Sequence, residues 1–262
     1  LTKQTGRQNT GKKHTEILFG FHSVYEALKA QKRRFDTVFI SQNRSGKRGD
    51  KIMSLAAAAD IKVVVTDAGH LAELTRSDIH QGIAARTSVF PVHKGSDIVS
   101  WIRSRQGSFL ALVLDQIADP QNLGALIRTA LCTGVDCIMI PKDRSALPTP
   151  AVSRASAGAM EHAQIFIVTN TGAALRTLKE NQAWTAGLEA GGDTPLFGAD
   201  LTGCLALVVG GEHKGIRPGV RKECDFLVSI PITGPVNSLN ASVAGGMAMY
   251  EALRQRSMNP GR

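Results

Sequence analysis

Residues 109–128 read FLALVLDQIADPQNLGALIR, and this stretch decides the fold. Phe109 to Leu114 is an apolar run with no polar alternation, as expected for a strand covered on both faces. Gln121–Thr133 then has helical character, and Pro120 and Asn122 suit the entry to a helix. Working downstream, Cys137–Ile140 is a second buried strand. Ile165–Val168, Trp184–Gly187, Leu205–Val209 and Phe226–Ile230 follow, with helical segments between several of them. A long helix over Ser238–Arg256 closes the pattern, with Ser238 as its cap and Arg254 and Arg256 near its negative end. Strand–helix alternation of this kind predicts an α/β domain over residues 108–258, a mostly parallel sheet with helices on both sides.

Upstream, residues 91–107 read as a linker or a bridging helix around Trp101. Residues 16–90 read as a small α/β domain: a helix over Phe21–Ala30, strands at Thr37–Ile40, Lys62–Thr66 and Gly82–Thr87, a loop over Gln42–Asp50, a helix from Lys51 to Ala59 capped by Asp50, and a short helix over Ala68–Leu74. Residues 1–15 are polar, basic and without periodicity, a disordered tail by composition. Gly6 to Lys13 is one residue short of a phosphate-binding loop and has no strand before it, so it is not a nucleotide site.

The chain has 262 residues, of which 43% are hydrophobic, 20% charged and 5% aromatic, an ordinary globular balance with enough apolar surface for a core. No run of about 18 apolar residues exists, so no membrane span is expected. Cys132, Cys137, Cys204 and Cys224 lack metal or redox spacing and read as reduced, mostly buried thiols. The expected location is cytoplasmic; because the sequence opens on Leu1, a removed targeting segment and an organellar location stay open. Residues 1–60 carry 12 basic against 5 acidic residues and residues 61–262 carry 19 against 17, so the positive charge sits at the front. Such asymmetry points to a polyanionic partner on that side.

Three clusters follow strands of the second domain at their C-terminal ends, where α/β sheets bind ligands. The first is Asp119–Arg128, with Asn122, Gly124 and Arg128. The second is Val209–Ile216, in which Gly210, Gly211 and Gly215 surround Glu212. The third is Ile230–Ala244, a proline-ended strand followed by Ser238-Leu239-Asn240-Ala241-Ser242-Val243-Ala244. Taken singly, each has an ordinary explanation: a capped helix with a surface arginine, a tight turn, a capped helix with small packing residues. An acid in a glycine-rich loop repels phosphate, so Glu212 suits a cationic ligand. No G-x-G-x-x-G follows a strand, no cluster has zinc spacing and no G-x-S-x-G elbow exists, which disfavours dinucleotide, metal and serine-hydrolase chemistry.

Together, N-x-G-x-x-x-R, G-x-E-x-x-G-I and S-L-N-A-S-V-A, in this order and spacing, resemble the three motifs of the SpoU/TrmH family. These are RNA ribose 2′-O-methyltransferases of the SPOUT superfamily. Leu18–Val24 with His80-Gln81-Gly82, and Pro141–Ser145, look like the subgroup that methylates a guanosine of large-subunit (23S-type) ribosomal RNA. The resemblance implies a trefoil knot in the parallel-sheet domain, which sequence physics does not anticipate because knots are rare. It implies S-adenosylmethionine as donor, no metal, ribosomal RNA as partner, and a homodimer with the active site near its interface. Gly210, Ile230 and Leu239 match donor-contacting positions, Gly211 and Ser238 adjoin them, and Thr169 and Gly187 are further candidates at earlier strand ends.

By the same resemblance Arg128 is the residue that activates the ribose hydroxyl. A guanidinium stays protonated in nearly all settings. Arg128 is therefore expected to clamp phosphate and stabilise developing oxyanion charge, with direct proton abstraction the alternative. Asn122 is expected to place the substrate or Arg128, Glu212 and Asn240 to orient Arg128 or the loops, and Ser238 to support the donor pocket. Arg44, Lys47, Arg48 and His22 are the expected RNA contacts. A transfer-RNA ribose methylase and a non-catalytic RNA-binding assembly factor are the alternatives.

Overall fold

The computed structural model describes residues 15–42, 46–212 and 214–258. The expectations for residues 1–14, Arg44 and His213 lie outside the described residues. The front unit runs β1 (Thr15–Phe19), α1 (Phe21–Ala30), β2 (Phe35–Ser41), α2 (Lys47–Ala58), β3 (Val63–Thr66), α3 (Ala68–Thr75) and β4 (Ile83–Ser88). Its four strands order as β1-β4-β2-β3, with β4 antiparallel to both neighbours and β2 parallel to β3. Leu18, Val24, Leu28, Val38, Ile52 and Ile83 form the core beneath α1 and α2. The helix expected from Lys51 starts at Lys47, because Gly46 supplies the extended cap conformation. Asp50 instead sits in the first turn, where a carboxylate suits the helix dipole. Lys47 and Arg48 are therefore helical residues, not loop residues.

The rear unit contains β5 (His93–Lys94), α4 (Ile98–Arg103), β6 (Leu110–Asp115), α5 (Pro120–Cys132), β7 (Cys137–Pro141), α6 (Pro150–Ala155), β8 (Ile165–Val168), α7 (Thr171–Glu180), β9 (Trp184–Leu188), β10 (Thr194–Pro195), β11 (Leu205–Gly210), α8 (Pro218–Arg221), β12 (Phe226–Ser229) and α9 (Ala241–Met258). Its eight strands pair in parallel in the order β10-β12-β9-β11-β6-β7-β8-β5. The segment expected as a linker belongs to this unit. β5 extends the sheet beside β8, and Trp101 of α4 packs edge-on against Phe109 and Phe166.

The unbroken apolar run has its explanation in the two-residue period of a strand. Leu110, Leu112 and Leu114 face a core shared with Leu126, Val209, Ala248 and Met249. Phe109, Ala111 and Val113 face another with Leu175, Leu178 and Val220. β11 enters between β6 and β9, so its end meets the ends of both. α5 packs closely on both α9 and α6: a Cβ on Gly245 would lie 2.5 Å from Leu126 Cδ2, and one on Gly124 would lie 2.5 Å from Ala155 Cβ of α6. All four cysteines are free, and only Cys137 is fully buried; Cys132 is exposed at the end of α5, against the expectation of mostly buried thiols.

A buried polar seam joins the units. Arg33 donates from Nε to Glu161 Oε2 (2.7 Å), from Nη2 to Glu161 Oε1 (3.2 Å) and from Nη1 to Glu16 Oε2 (2.6 Å) and the Ser88 carbonyl (3.0 Å). Ser153 Oγ donates to Glu161 Oε1 at 2.7 Å. Glu161 is fully buried and Arg33 nearly so. Removing Arg33 strands the buried Glu161 carboxylate, at a cost of about 3–5 kcal/mol; Arg33 itself keeps Glu16 if Glu161 is lost. The Lys32 ammonium adds bonds to the carbonyls of His162 (2.8 Å) and Ala163 (2.9 Å), and burial lowers its pKa.

Candidate active site

α5 begins at Pro120, whose missing N–H costs nothing at a helix start, and Asp119 caps it by accepting from the Gln121 and Asn122 amides. This fixes Asn122 in the first turn, nearly buried and facing two other loops. Asn122 Nδ2 donates to Glu212 Oε1, and Asn122 Oδ1 accepts from Asn240 Nδ2 at 3.0 Å. One carboxamide thus ties together the loops that follow β6, β11 and β12.

Each tied loop has its own local anchor. Asn240 Oδ1 accepts from the Ser242 and Val243 amides at 2.8 and 3.2 Å and from the Ser242 hydroxyl at 2.6 Å. Asn240, not Ser238, therefore caps the last helix, which starts at Ala241 and leaves Ser238 and Leu239 outside it. The glycine-rich loop folds back on itself through a bridge between Gly211 and Gly215. A Cβ at Gly210 would lie 2.1 Å from the Gly215 carbonyl carbon, and one at Gly211 would lie 2.5 Å from the Gln116 carbonyl oxygen. Only glycine permits either approach.

The loop is pinned further by Arg217. Its amide donates to Asp115 Oδ2 at 2.9 Å, its Nη2 to Asp115 Oδ1 at 2.6 Å, and its Nη2 to Thr171 Oγ1 at 3.2 Å. The bond to Asp115 holds the guanidinium pKa above its usual value. Asp115 is fully buried at the end of β6. The sequence reading passed over this pair, although Asp115 closing an otherwise apolar run was the available signal.

Between these loops lies a cleft of about 410 Å³, lined by residues that include Leu188, Gly210, Gly211, Ile230, Ser238 and Leu239. Five of the expected donor residues are thus brought together. Thr169 and Gly187 are not. Thr169 lines a separate hollow near β5 and α7. Gly187 faces Cys224, Ile216 and Leu227 on the opposite face of the sheet. Strand alternation instead turns the next residue, Leu188, to the cleft. Glu189 also lines it, tied by Arg221 Nε at 2.6 Å. Gly211, Glu212, Lys214 and Gly215 also line a second hollow of about 430 Å³, with Asp119 and Arg144.

The cleft fits an adenosyl sulfonium donor. Leu188, Val209, Val228 and Ile230 offer apolar wall for a base, Gly210 and Gly211 bring backbone to the lining with no side chain in the way, and Glu212 supplies negative charge that suits a cationic ligand. Among the described residues no group of three or more His, Cys, Asp or Glu side chains could hold a metal ion, and no helix is long and apolar enough to cross a membrane.

Arg128 stands apart from this network. It is exposed on α5, six residues beyond Asn122, and has no ion pair or side-chain hydrogen bond among the described residues. Glu212 and Asn240 bond Asn122 rather than Arg128, so what they orient here is the loops. In the front unit His22 and Arg48 come together around Phe21, with the His22 ring 5.1 Å and the Arg48 guanidinium 5.3 Å from the phenyl centroid. Lys47 is exposed at the start of α2.

Two families of known proteins match successive parts of the chain. Residues 109–250 match the SpoU rRNA Methylase family and residues 17–91 match the RNA 2′-O ribose methyltransferase substrate binding family. The 23S rRNA (guanosine-2′-O-)-methyltransferase RlmB of Escherichia coli K12 is 37% identical over 243 residues, spanning 93% of this chain and 100% of the relative. The SpoU methyltransferase AviRb of Streptomyces viridochromogenes, solved with AdoMet, superposes with a TM-score of 0.79 at 22% identity, over 97% of this chain and 95% of that one. A protein solved in a study of 2′-OH methylation of C/U34 on tRNA is 31% identical with a TM-score of 0.53, covering 58% of this chain and 99% of its own.

Proposed function

The chain belongs to the SpoU rRNA methylase family, and from that premise we propose that it transfers the methyl group of S-adenosylmethionine to the ribose 2′-hydroxyl of a guanosine in 23S ribosomal RNA. The observation that carries this is the Glu212–Asn122–Asn240 chain, which gathers three separate loops around one cleft of donor size. The ribosomal target rests on the front unit: the RlmB relative matches along 93% of the chain, whereas the tRNA-related protein covers only 58%. On this reading the protein works in the cytoplasm.

When bound, the donor supplies an electrophilic methyl carbon on a sulfonium. The chain supplies position, charge and exclusion of water. Asn122 fixes the walls so that the hydroxyl meets the carbon in line, and such positioning contributes much of the rate of a displacement. The hydroxyl oxygen bonds to the methyl carbon as the carbon–sulfur bond breaks and the neutral thioether leaves; the hydroxyl proton passes to water, and partial negative charge builds on the oxygen as its O–H bond weakens. Arg128, permanently cationic, stabilises that charge and clamps the adjoining phosphate. Lys214 and Arg144, on the second hollow, draw the RNA backbone toward the loop.

Two further features belong to this proposal. One is the knot, supported by the entry of β11 between β6 and β9 and by the 230–239 segment lining the donor cleft. The other is a homodimer. Val243, Met247 and Tyr250 form an exposed row on α9 at 51%, 38% and 55% exposure, beside Leu239 and Val236 of the exposed preceding loop. A contiguous apolar face of this kind calls for a partner surface. A second copy there would complete the site that the exposed Arg128 leaves open. Mapping ribose methylation in ribosomal RNA from cells with and without the gene tests the function: one 23S guanosine loses its 2′-O-methyl mark, and an unchanged map refutes it.

A further inference from the structure

The two units meet at a second cleft, of about 320 Å³, that the reaction above does not use. Gly20, His22, Ser23, Ile79 and Gln81 line it from the front unit, and Arg154 and Ala157 from the α6 side. It lies at the N-terminus of α1, whose cap is Gly20 at φ +87°, with no side chain of its own to satisfy the first amides. Among the described residues, the Phe21 amide alone of these is met by a side chain, Gln81 Oε1 at 3.0 Å. Ser23 is 2% exposed, lines this cleft, and its hydroxyl has no hydrogen-bond partner among the described residues. That hydroxyl opens on the cleft and is available to a ligand there.

The charges around it agree. Phe19 and Phe21 flank Gly20, and each carries an arginine on its ring: Arg154 at 5.1 Å from Phe19 and Arg48 at 5.3 Å from Phe21. Neither guanidinium pairs with a carboxylate among the described residues. Each guanidinium lies over a ring face, with its N–H groups available to an anion. Helix amides, a hydroxyl and fixed guanidiniums together are the donor set of a phosphate site. The cleft walls are rigid, because a Cβ on Gly158 would sit 2.5 Å from the His22 carbonyl oxygen and the Arg33–Glu161 pair is buried close by in the same seam.

We propose that this seam seats one backbone phosphate of the RNA substrate, held by Ser23, the α1 amides and Arg154, with His22 and Arg48 at its mouth. The seat rests on the RNA-methylation reading above. Because both units build it, it fixes the RNA relative to the donor cleft, and it determines specificity through placement rather than base contact.

The test measures affinity for a 23S rRNA fragment across a KCl series, with KM for RNA, kcat and S-adenosylmethionine affinity alongside. Arg154→Gln lowers the slope of log K against log salt by about one, the signature of one lost phosphate contact. It raises KM for RNA severalfold and leaves kcat and donor affinity unchanged. Arg154→Lys keeps the slope, and Ser23→Ala weakens binding without changing it. A wild-type slope in Arg154→Gln overturns the proposal, as does a slope in Arg154→Lys as low as that in Arg154→Gln, which would assign the arginine to packing. A wild-type protein that shows the Arg154-dependent slope yet transfers no methyl group sinks the reaction and leaves the seat standing.

Discussion

Asn122→Ala is the perturbation that probes the site most sharply. The substitution deletes a bond to the Glu212 carboxylate and a 3.0 Å bond to Asn240, and keeps the helix cap, because Asp119 provides it. A bond to a charged group contributes about 1.5–3 kcal/mol and a neutral one about 0.5–1.5 kcal/mol. Glu212 and Asn240 are both exposed, so water replaces the lost partner and the loss stays near the lower bound, about 2 kcal/mol. The bonds hold the walls of the donor cleft, so that free energy is charged to donor binding. At 1.36 kcal/mol per decade, the Kd for S-adenosylmethionine rises about 30-fold. Isothermal titration calorimetry reads this directly, and circular dichroism verifies that the fold is intact. Asn122→Asp performs worse than Ala, since it sets a carboxylate against Glu212. Donor affinity within a factor of two of wild type in Asn122→Ala, or better binding by Asp than by Ala, would refute the reasoning.

Arg128→Ala abolishes methyl transfer while S-adenosylmethionine titrates as for wild type; measurable turnover in that variant removes Arg128 from the chemistry. Gly210→Ala forces a methyl group to 2.1 Å from Gly215, displaces the loop and eliminates donor binding, with a melting temperature lowered by several degrees in calorimetry; normal donor affinity would contradict the packing seen here. The Cys224 thiol is pushed up to about 12, chiefly by burial and then by Asp225. Unfolded, it ionises near ~8.5. Its contribution to stability is therefore full below that value and is lost as pH climbs from about 9 toward 12. Denaturant midpoints measured across that range fall less steeply in Cys224→Ala, and identical slopes would show that the thiol is not the group responsible.

Much of the fold was legible because its strongest signals are local. The apolar run at 109–114 and the Pro120–Asn122 helix entry each follow from neighbours in sequence, and both elements appear where expected. The misses come from long-range partners. β5 is two residues long and exists through pairing with β8, so His93–Lys94 read as linker. Ser238 and Asn240 are both competent caps, and the choice between them was made by Asn122, 118 residues away. Thr169 and Gly187 follow strands as donor residues do, yet the hollow Thr169 lines and the face Gly187 turns to depend on strand order and phase. Arg33, Glu161 and Arg217 gave no sequence signal of their own, because their value lies in burial against one another.

The most direct measurement is transfer itself. Purified protein is incubated with methyl-labelled S-adenosylmethionine and unmodified 23S rRNA, and the RNA is digested to nucleosides for mass spectrometry. Label in 2′-O-methylguanosine, at one position and lost in Arg128→Ala, is the predicted result. Label on a base, on another ribose or absent from the RNA would contradict the proposal.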